Sequence, residues 1–328
     1  MPVSEEVTVA PVLLLVTAMR VTGQMLSRML GENISSNQEA IYKLQQQITT
    51  GRKIIHPSDD PGAYESIRRL HVDTANIEQY SRNAELAERE LLSAETALQG
   101  VLDILQYASE IAIRGSDGTV SVADRINLGK EVDQLLESAI DLANTSEGGR
   151  YVFAGLRTDQ QAYTATDTDL DGFTDTVTYD GSHEVKRVEI GKGIYVDVNT
   201  PGSDAAGTNG VFETNDPDVN VFTNLMTLRD RLLAGQNIVN TDSLDKLNHS
   251  IDHMINIISI TGAREEKVHL NSGLLSQTEV NLRSALQQQE AVDVARAIMD
   301  LSERQTAYEA SLRSTAMILD RTSLMHYL

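Results

Sequence analysis

The stretch DTDLDGFTD, residues 167–175, sets Asp167, Asp169, Asp171 and Asp175 at positions one, three, five and nine of a loop, with Gly172 at position six. A hard cation takes six or more oxygens from a sharply turned chain, and this spacing supplies most of a calcium loop, with the Phe173 carbonyl as a further donor. Position twelve is Thr178, so the bidentate glutamate is missing, and strand-forming residues flank the loop where helices would be expected. Two readings stand: calcium held by Asp167, Asp169, Asp171, Phe173 and Asp175, or a solvated acidic loop. His249 and His253 are four apart on one helix face, but without a third ligand they read as a polar flank. GKG at 191–193 lacks the Lys-Ser/Thr end of a phosphate loop and reads as a turn. No Ser-His-Asp order occurs either. The sequence therefore offers no catalytic residue and requires no cofactor.

Composition narrows the classes further. The net charge of -21 would repel phosphate backbones, so nucleic acid is excluded as a partner by charge. The chain has no cysteine, which removes disulfides, thiol nucleophiles and thiolate metal sites. The first 18 residues end in an apolar run, but Glu5 and Glu6 stand where a signal peptide has positive charge, and the run is too short to span a bilayer. Residues 1–18 are therefore read as an extension ahead of a natural start at Met19, and no membrane is expected as a partner.

The elements that would position these groups are mostly long helices. Leu26, Leu30, Ile34, Asn37, Ile41, Leu44 and Ile48 follow steps of four and three, as in a heptad seam, until Thr50-Gly51. HPSDDPGA then reads as a stiff connector: Ser58 is the expected N-cap, with Asp59 and Asp60 in a helix's first turn. That helix carries Ile67, Leu70, Ile77, Leu91, Leu98, Val101 and Leu105 up to RGSDGT at 114–119, and another follows to Gly148-Gly149. Between 151 and 221 the texture changes to short β-prone pieces, and TVTYDGSHEVKRVEI reads as a hairpin turning at Asp180-Gly181. A helix capped by Asp242 or Ser243 follows, of some 45 residues. A last amphipathic stretch runs through Val294, Ile298, Leu301, Gln305, Tyr308, Leu312, Thr315 and Leu319. Amphipathic helices at both ends most simply bury their seams against each other or against neighbouring subunits. The expected class is mainly α with an inserted β-rich domain. Its divisions are 19–50 and 287–328 as terminal assembly helices, 51–150 and 222–286 as a helical rod, and 151–221 as the outer β-rich domain.

Four separated motifs carry a family pattern in order: MRVTGQML at 19–26, ITTGRKIIHPSDDPGA at 48–63, GGRYVFAG at 148–155 and the closing TAYEASLRSTAMILDRTSLMHYL. They resemble the bacterial hook-associated protein 3 family, flagellin-like proteins that join the flagellar hook to the filament. One departure is QQAY at 160–163, where the family often has a Pro-Phe pair. The resemblance implies a structural, non-enzymatic protein whose terminal helices pair as a coiled coil and polymerise. It implies neighbouring copies, hook-associated protein 1 on the hook side, flagellin on the filament side and an export chaperone as partners. It also implies an extracellular place in the flagellum, reached through the flagellar type III apparatus. Leu30, Ile34, Ile41, Leu44, Ile48, Asp59, Asp60, Ile298, Leu301, Tyr308, Leu312 and Leu319 are then assembly residues. The alternatives are a minor flagellin or a soluble calcium-binding protein.

Overall fold

The computed structural model describes residues 23–204, 210–239 and 242–324, with the side chains at 23–24, 26–27 and 318–324 left aside. Residues 1–18 and Met19, and with them the reading of the start, lie outside the described residues. The chain divides into two compact units, one formed by residues up to Val72 with those from Arg283 onward, the other by Asp73–Leu282. Six helices and six short strands occur among the described residues: α1 Gly23–Thr50, α2 Pro61–Ser116, α3 Val122–Ala143, β1 Ser146–Glu147, β2 Arg150–Tyr151, β3 Tyr163–Thr166, β4 Thr176–Tyr179, β5 Arg187–Gly191, β6 Ile194–Asp197, α4 Val221–Leu233, α5 Ser243–Glu290 and α6 Val294–Leu324. The protein is mainly α, with small two-stranded sheets between α3 and α4. No described helix is long and apolar enough to cross a membrane.

In the 73–282 unit, α2 presents Ala94, Leu98, Val101, Leu105 and Ala108 at helical spacing to Val132, Leu136 and Ala139 of α3. Leu225, Leu228 and Leu232 of α4 and Leu247, Met254 and Ile257 of α5 complete this core. Each Leu, Val, Ile or Met among them contributes about 1.5–3 kcal/mol when fully withdrawn from water. α2 ends at RGSDGT because Arg125, itself buried, donates to the carbonyls of Gly115 at 3.2 Å and Asp117 at 3.1 Å, satisfying groups a helix end leaves open. Ser121 starts α3 by accepting the Asp124 amide. α4 had no separate place in the sequence reading. Its signals were present: Asn220 accepts the Thr223 amide at 2.9 Å, and Val221, Phe222, Leu225, Leu228 and Leu232 lie on one face.

The glycines of GGRYVFAG explain the change of texture after α3. Gly148 and Gly149 have φ of 58° and 79°, and two positive values make the two-residue turn that joins β1 to β2. Gly155 has φ of 65°, and a Cβ there would meet the Ser182 carbonyl oxygen at 1.8 Å. Only glycine fits there. Beyond it the strands pair differently from expectation. β4 pairs antiparallel with β3 across the acidic loop, and β5 pairs with β6 across Lys192-Gly193, so TVTYDGSHEVKRVEI is not one hairpin. The Asp180 amide goes to the Ala162 carbonyl and the Ser182 amide to the Ala154 carbonyl, which draws the chain towards YVFAG where a hairpin would have turned it back. The predicted turn at 191–193 stands, with Gly193 at φ 73°.

The 151–221 segment shares its core with the helices. Phe153, Tyr163, Phe212 and Phe222 pack with ring centroids 4.8–5.5 Å apart inside the cluster that includes α2 and α3. β5 and β6 lay Ile190 and Val196, with Val198 just beyond β6, against Ala84, Ala87 and Leu91 of α2 and Val268 and Leu275 of α5. Asn271, buried, donates to the Ile190 carbonyl at 2.6 Å, and Asn83 to that of Glu189 at 2.8 Å. Arg229 joins three elements. It is 3 % exposed, pairs with Asp133 of α3 at 3.2 Å, and donates to the Thr174 carbonyl at 2.8 Å, with Phe173's ring 5.5 Å away.

Two expectations follow. Arg229→Met strands Asp133 as a buried charge and should cost about 3–5 kcal/mol, read as a lower urea midpoint with an unchanged slope. Tyr163→Phe should be neutral or stabilising in the same measurement, because the Tyr163 hydroxyl is buried without a hydrogen-bond partner among the described residues.

Candidate assembly interface

Local chemistry places the connector. Asp59 lies ahead of α2, and its Oδ2 accepts the amides of Ile55 at 3.1 Å and His56 at 3.0 Å. Its other oxygen meets Lys43 of α1 at 2.7 Å. The Lys43 hydrogen bond, followed by the two amides, lowers the Asp59 pKa to about 2. Asp60, exposed, is the N-cap: its Oδ1 accepts the Ala63 amide at 3.0 Å, and α2 begins at Pro61. The expected start at Ser58 is therefore corrected by two residues. Asp59 is taken out of the first turn because its carboxylate folds back onto the amides before it.

The connector has a partner strand. Arg52 pairs as an isolated antiparallel bridge with Ala291, the Lys53 amide donates to the Glu290 carbonyl at 2.7 Å, and the Val292 amide donates to that of Gly51 at 3.0 Å. Glu290, largely buried, meets Arg52 at 2.6 Å and His71 at 3.3 Å. Asp293 then caps α6 by accepting the Arg296 amide at 3.1 Å. The break between α5 and α6 carries neither proline nor glycine, and Asp293, which caps α6, is its one local signal.

From these bases α1 and α6 pack against each other. Leu30, Ile34, Asn37, Ile41, Leu44 and Ile48 are all half-buried, the seam read from the sequence. On α6 the inward positions are Ala297, Leu301, Tyr308, Ser311 and Thr315. Leu301, Tyr308 and Thr315 were expected there. Ile298 and Leu312 were too, but they are 52 % and 43 % exposed. Ala297 and Ser311, being small, let α1 approach, and this rotates the neighbouring apolar stripe outward. Leu319 lies outside the described side chains. Arg304 donates to Asn37 across the pair at 3.3 Å, beside an open groove of about 500 Å³ lined by Ala40, Lys43, Leu44, Gln47, Asp300 and Glu303.

The covering is one-sided. Among the described side chains of α1 none is fully buried, and Met25, Met29, Tyr42, Met299 and Met317 stand exposed with Ile298 and Leu312. Large apolar groups thus stand exposed along both helices, a feature that surfaces covered by a partner share.

The other candidate groups are placed apart from this. Carboxylate oxygens of Asp167, Asp169 and Asp175 lie within 4.8 Å of one another, while Asp171 is outside that group and accepts the Phe173 amide at 2.8 Å. Asp167 accepts the amides of Leu170 and Gly172, and Asp175 that of Thr168. The Asp171 amide draws the Asp169 pKa down, but desolvation and the carboxylates of Asp171, Asp175 and Asp167 outweigh it and leave the value raised. Oxygen donors so arranged suit a hard cation. His253 contacts the Gly210 carbonyl at 2.8 Å and His249 is exposed, in keeping with a polar flank.

Residues 21–158 match the family model described as bacterial flagellin N-terminal helical region. The chain is 26% identical to flagellar hook-associated protein 3 of Escherichia coli strain K12, over 90% of this chain and 96% of that one. It is 32% identical to the protein of the same name from Salmonella typhimurium, over 43% of this chain and 45% of the other. Flagellins match as well, those of Listeria monocytogenes and Clostridium tyrobutyricum over 39% and 35% of this chain. The fold resembles that of flagellar hook associated protein-3 from Legionella pneumophila, with a TM-score of 0.56 at 16% identity, covering 68% of this chain and 98% of that one.

The site yields two expectations. A carboxylate whose pKa is depressed on folding stabilises above its unfolded value and loses that contribution as pH falls through the folded one. Asp59→Asn should therefore cost about 1–2 kcal/mol at neutral pH and flatten the acid melt between about pH 4 and pH 2, read by exchange of the Ile55 and His56 amides. A raised pKa has the opposite sign, so Asp169→Asn in metal-free buffer should leave the melting temperature unchanged or raise it.

Proposed function

We propose that this chain, which carries a flagellin-type helical region and is related over nearly its whole length to flagellar hook-associated protein 3, is a structural protein of the bacterial flagellum that joins hook to filament. It polymerises through α1 and α6. The observation that carries this reading is the one-sided pairing of those helices, which leaves Met25, Met29, Tyr42, Ile298, Met299 and Leu312 in water until other copies cover them. Similarity to the Escherichia coli hook-associated protein runs along 90% of the chain, whereas the flagellins of Listeria monocytogenes and Clostridium tyrobutyricum match along less than half, which favours a junction role over that of a minor filament subunit.

In this reading neighbouring copies bind laterally, hook-associated protein 1 adjoins on the hook side and flagellin on the filament side. An export chaperone holds the chain beforehand. Its place is outside the cell, reached through the flagellar type III apparatus, and the absence of cysteine suits such passage. The chain is not an enzyme and requires no cofactor: Asp59, Asp60 and Glu290 serve turns, caps and ion pairs. Calcium, if taken up, goes to Asp167, Asp169 and Asp175 and acts on the middle of the chain alone.

A strain lacking this gene should make hooks without filaments and shed unpolymerised flagellin, and the wild-type gene should restore filaments. Ile298→Asp with Leu312→Asp should fail to restore them, with motility reduced to the deletion level and the melt of the 73–282 unit unchanged. Normal filaments in the deletion strain would exclude a junction role.

A further inference from the structure

Two separate hydrophobic cores lie inside the 73–282 unit, and its two long helices run through both. On α2 the smaller core takes Ala84, Ala87 and Leu91, and the larger begins at Ala94. On α5 the larger ends with Ile257 and Ile258, and the smaller takes over at Val268. Between those two α5 residues Thr261 alone is buried.

That interval is also where α5 is weakest by its own chemistry. Ser259 Oγ donates to the Ile255 carbonyl at 2.8 Å and Thr261 Oγ1 to that of Ile257 at 2.9 Å, back-bonds of the kind that loosen and bend a helix. Gly262 follows directly. Glycine weakens a helix interior, and elsewhere in this unit close packing requires it: a Cβ at Gly100 would meet Leu142 at 2.9 Å, at Gly115 Leu232 at 2.7 Å and at Gly129 Leu233 at 2.9 Å. At Gly262 a Cβ would meet nothing within 4 Å. Packing gives that glycine no reason to be there.

The facing helix yields at the same level, where the Thr96 hydroxyl of α2 donates to the Leu92 carbonyl at 2.9 Å. Glu95 of α2 and Glu265 of α5, both half-buried, meet there. Their hydrogen-bond contact, desolvation and the charges of Glu95 and Glu88 raise the Glu265 pKa, against the pull of His269. Like charges hold the helices together poorly at this point. Beside it lies a cavity of about 230 Å³ lined by Ile257, Ile260, Arg264, Thr200 and Pro201. On the far side the contacts are firm. Lys267 donates to the Tyr195 carbonyl and Asn271 to that of Ile190, each at 2.6 Å, while Asn83 and Glu90 of α2 hold the Glu189 carbonyl and Lys186. β5 and β6 are thus tied to both helices within the smaller core.

We propose that residues 259–262 are a hinge built into α5, about which β5–β6 and the helix segments that grip it tilt as one body against the larger core, with neither core opening. Hinges are a few residues that absorb backbone change between packed bodies, and the cavity gives the tilt room.

Cysteine is absent from the chain, so paired substitutions take spin labels cleanly. Asp141→Cys with Lys192→Cys reports α3 against the β5–β6 turn, and Asp141→Cys with Asp252→Cys reports two helices of the larger core; all three positions are exposed. Electron–electron double resonance on the full chain should give a distance distribution about twice as broad for the first pair as for the second. Gly262→Ala should narrow the first to the width of the second and slow exchange of the amides at 262–266 about fivefold, because helix preference favours a methyl with open space around it. Equal widths for the two pairs before that substitution overturn the hinge. So does a breadth that survives Gly262→Ala while the amides slow, since Gly262 would then be a weak helix position and nothing more. A lower melting temperature in Gly262→Ala overturns it as well, because the glycine would then serve packing.

Discussion

The carboxylate of Glu290, held 2.6 Å from Arg52 and 3.3 Å from His71, fixes the point from which both terminal helices leave. Its backbone carbonyl takes the Lys53 amide, and Ala291 beside it bridges Arg52. These contacts join the end of α1 to the junction of α5 with α6 before any apolar side chain is counted. The partly sheltered ion pair matters for placement more than for energy, since surface pairs are worth only about 0–1 kcal/mol. With both bases clamped, Leu30 to Ile48 of α1 meet Leu301, Tyr308 and Thr315 of α6 in one register. Without the clamp two half-covered helices would have little to choose between neighbouring registers.

Much of this was legible in the sequence because long helices repeat their signal. The α1 seam repeats from Leu30 to Ile48, and each of those inward positions read from periodicity is half-buried. On α6 one row of the seam was legible, since Leu301, Tyr308 and Thr315 face inward as read, while the row expected at Ile298 and Leu312 lies one residue earlier, at Ala297 and Ser311, small residues whose value lies in what they let approach. A hydrophobic pattern ranks apolar side chains and is blind to that. The clamp at Glu290 was hidden for a related reason: an isolated bridge has no period to read.

The middle of the chain shows where local rules compete. Asp180-Gly181 is a good hairpin turn in isolation, but the amides of Asp180 and Ser182 find carbonyls at Ala162 and Ala154, and those long-range bonds won. The β-prone texture of 151–221 was visible, though not that Phe153, Tyr163 and Phe212 would face the helices and so merge the segment with the α2–α5 core. Of the acidic loop, spacing foretold the approach of Asp167, Asp169 and Asp175, while Asp171 turned to the Phe173 amide. Its anchor at the Thr174 carbonyl, Arg229, lies 55 positions downstream and could not have been paired with it from the sequence.

The partners of the terminal unit are the first and last helices of the described chain, α1 at Gly23–Thr50 and α6 at Val294–Leu324. A peptide is delivered from one end, so α1 exists for a long interval before the residues that cover it. Contacts so far apart in sequence close slowly, and each doubling of the flexible stretch between them costs about 0.6 kcal/mol more. Folding of 73–282 removes most of that flexible length. The order of events is therefore built into the topology: the middle folds first, the termini meet last, and until they do the apolar row of α1 is open to whatever else can hold it.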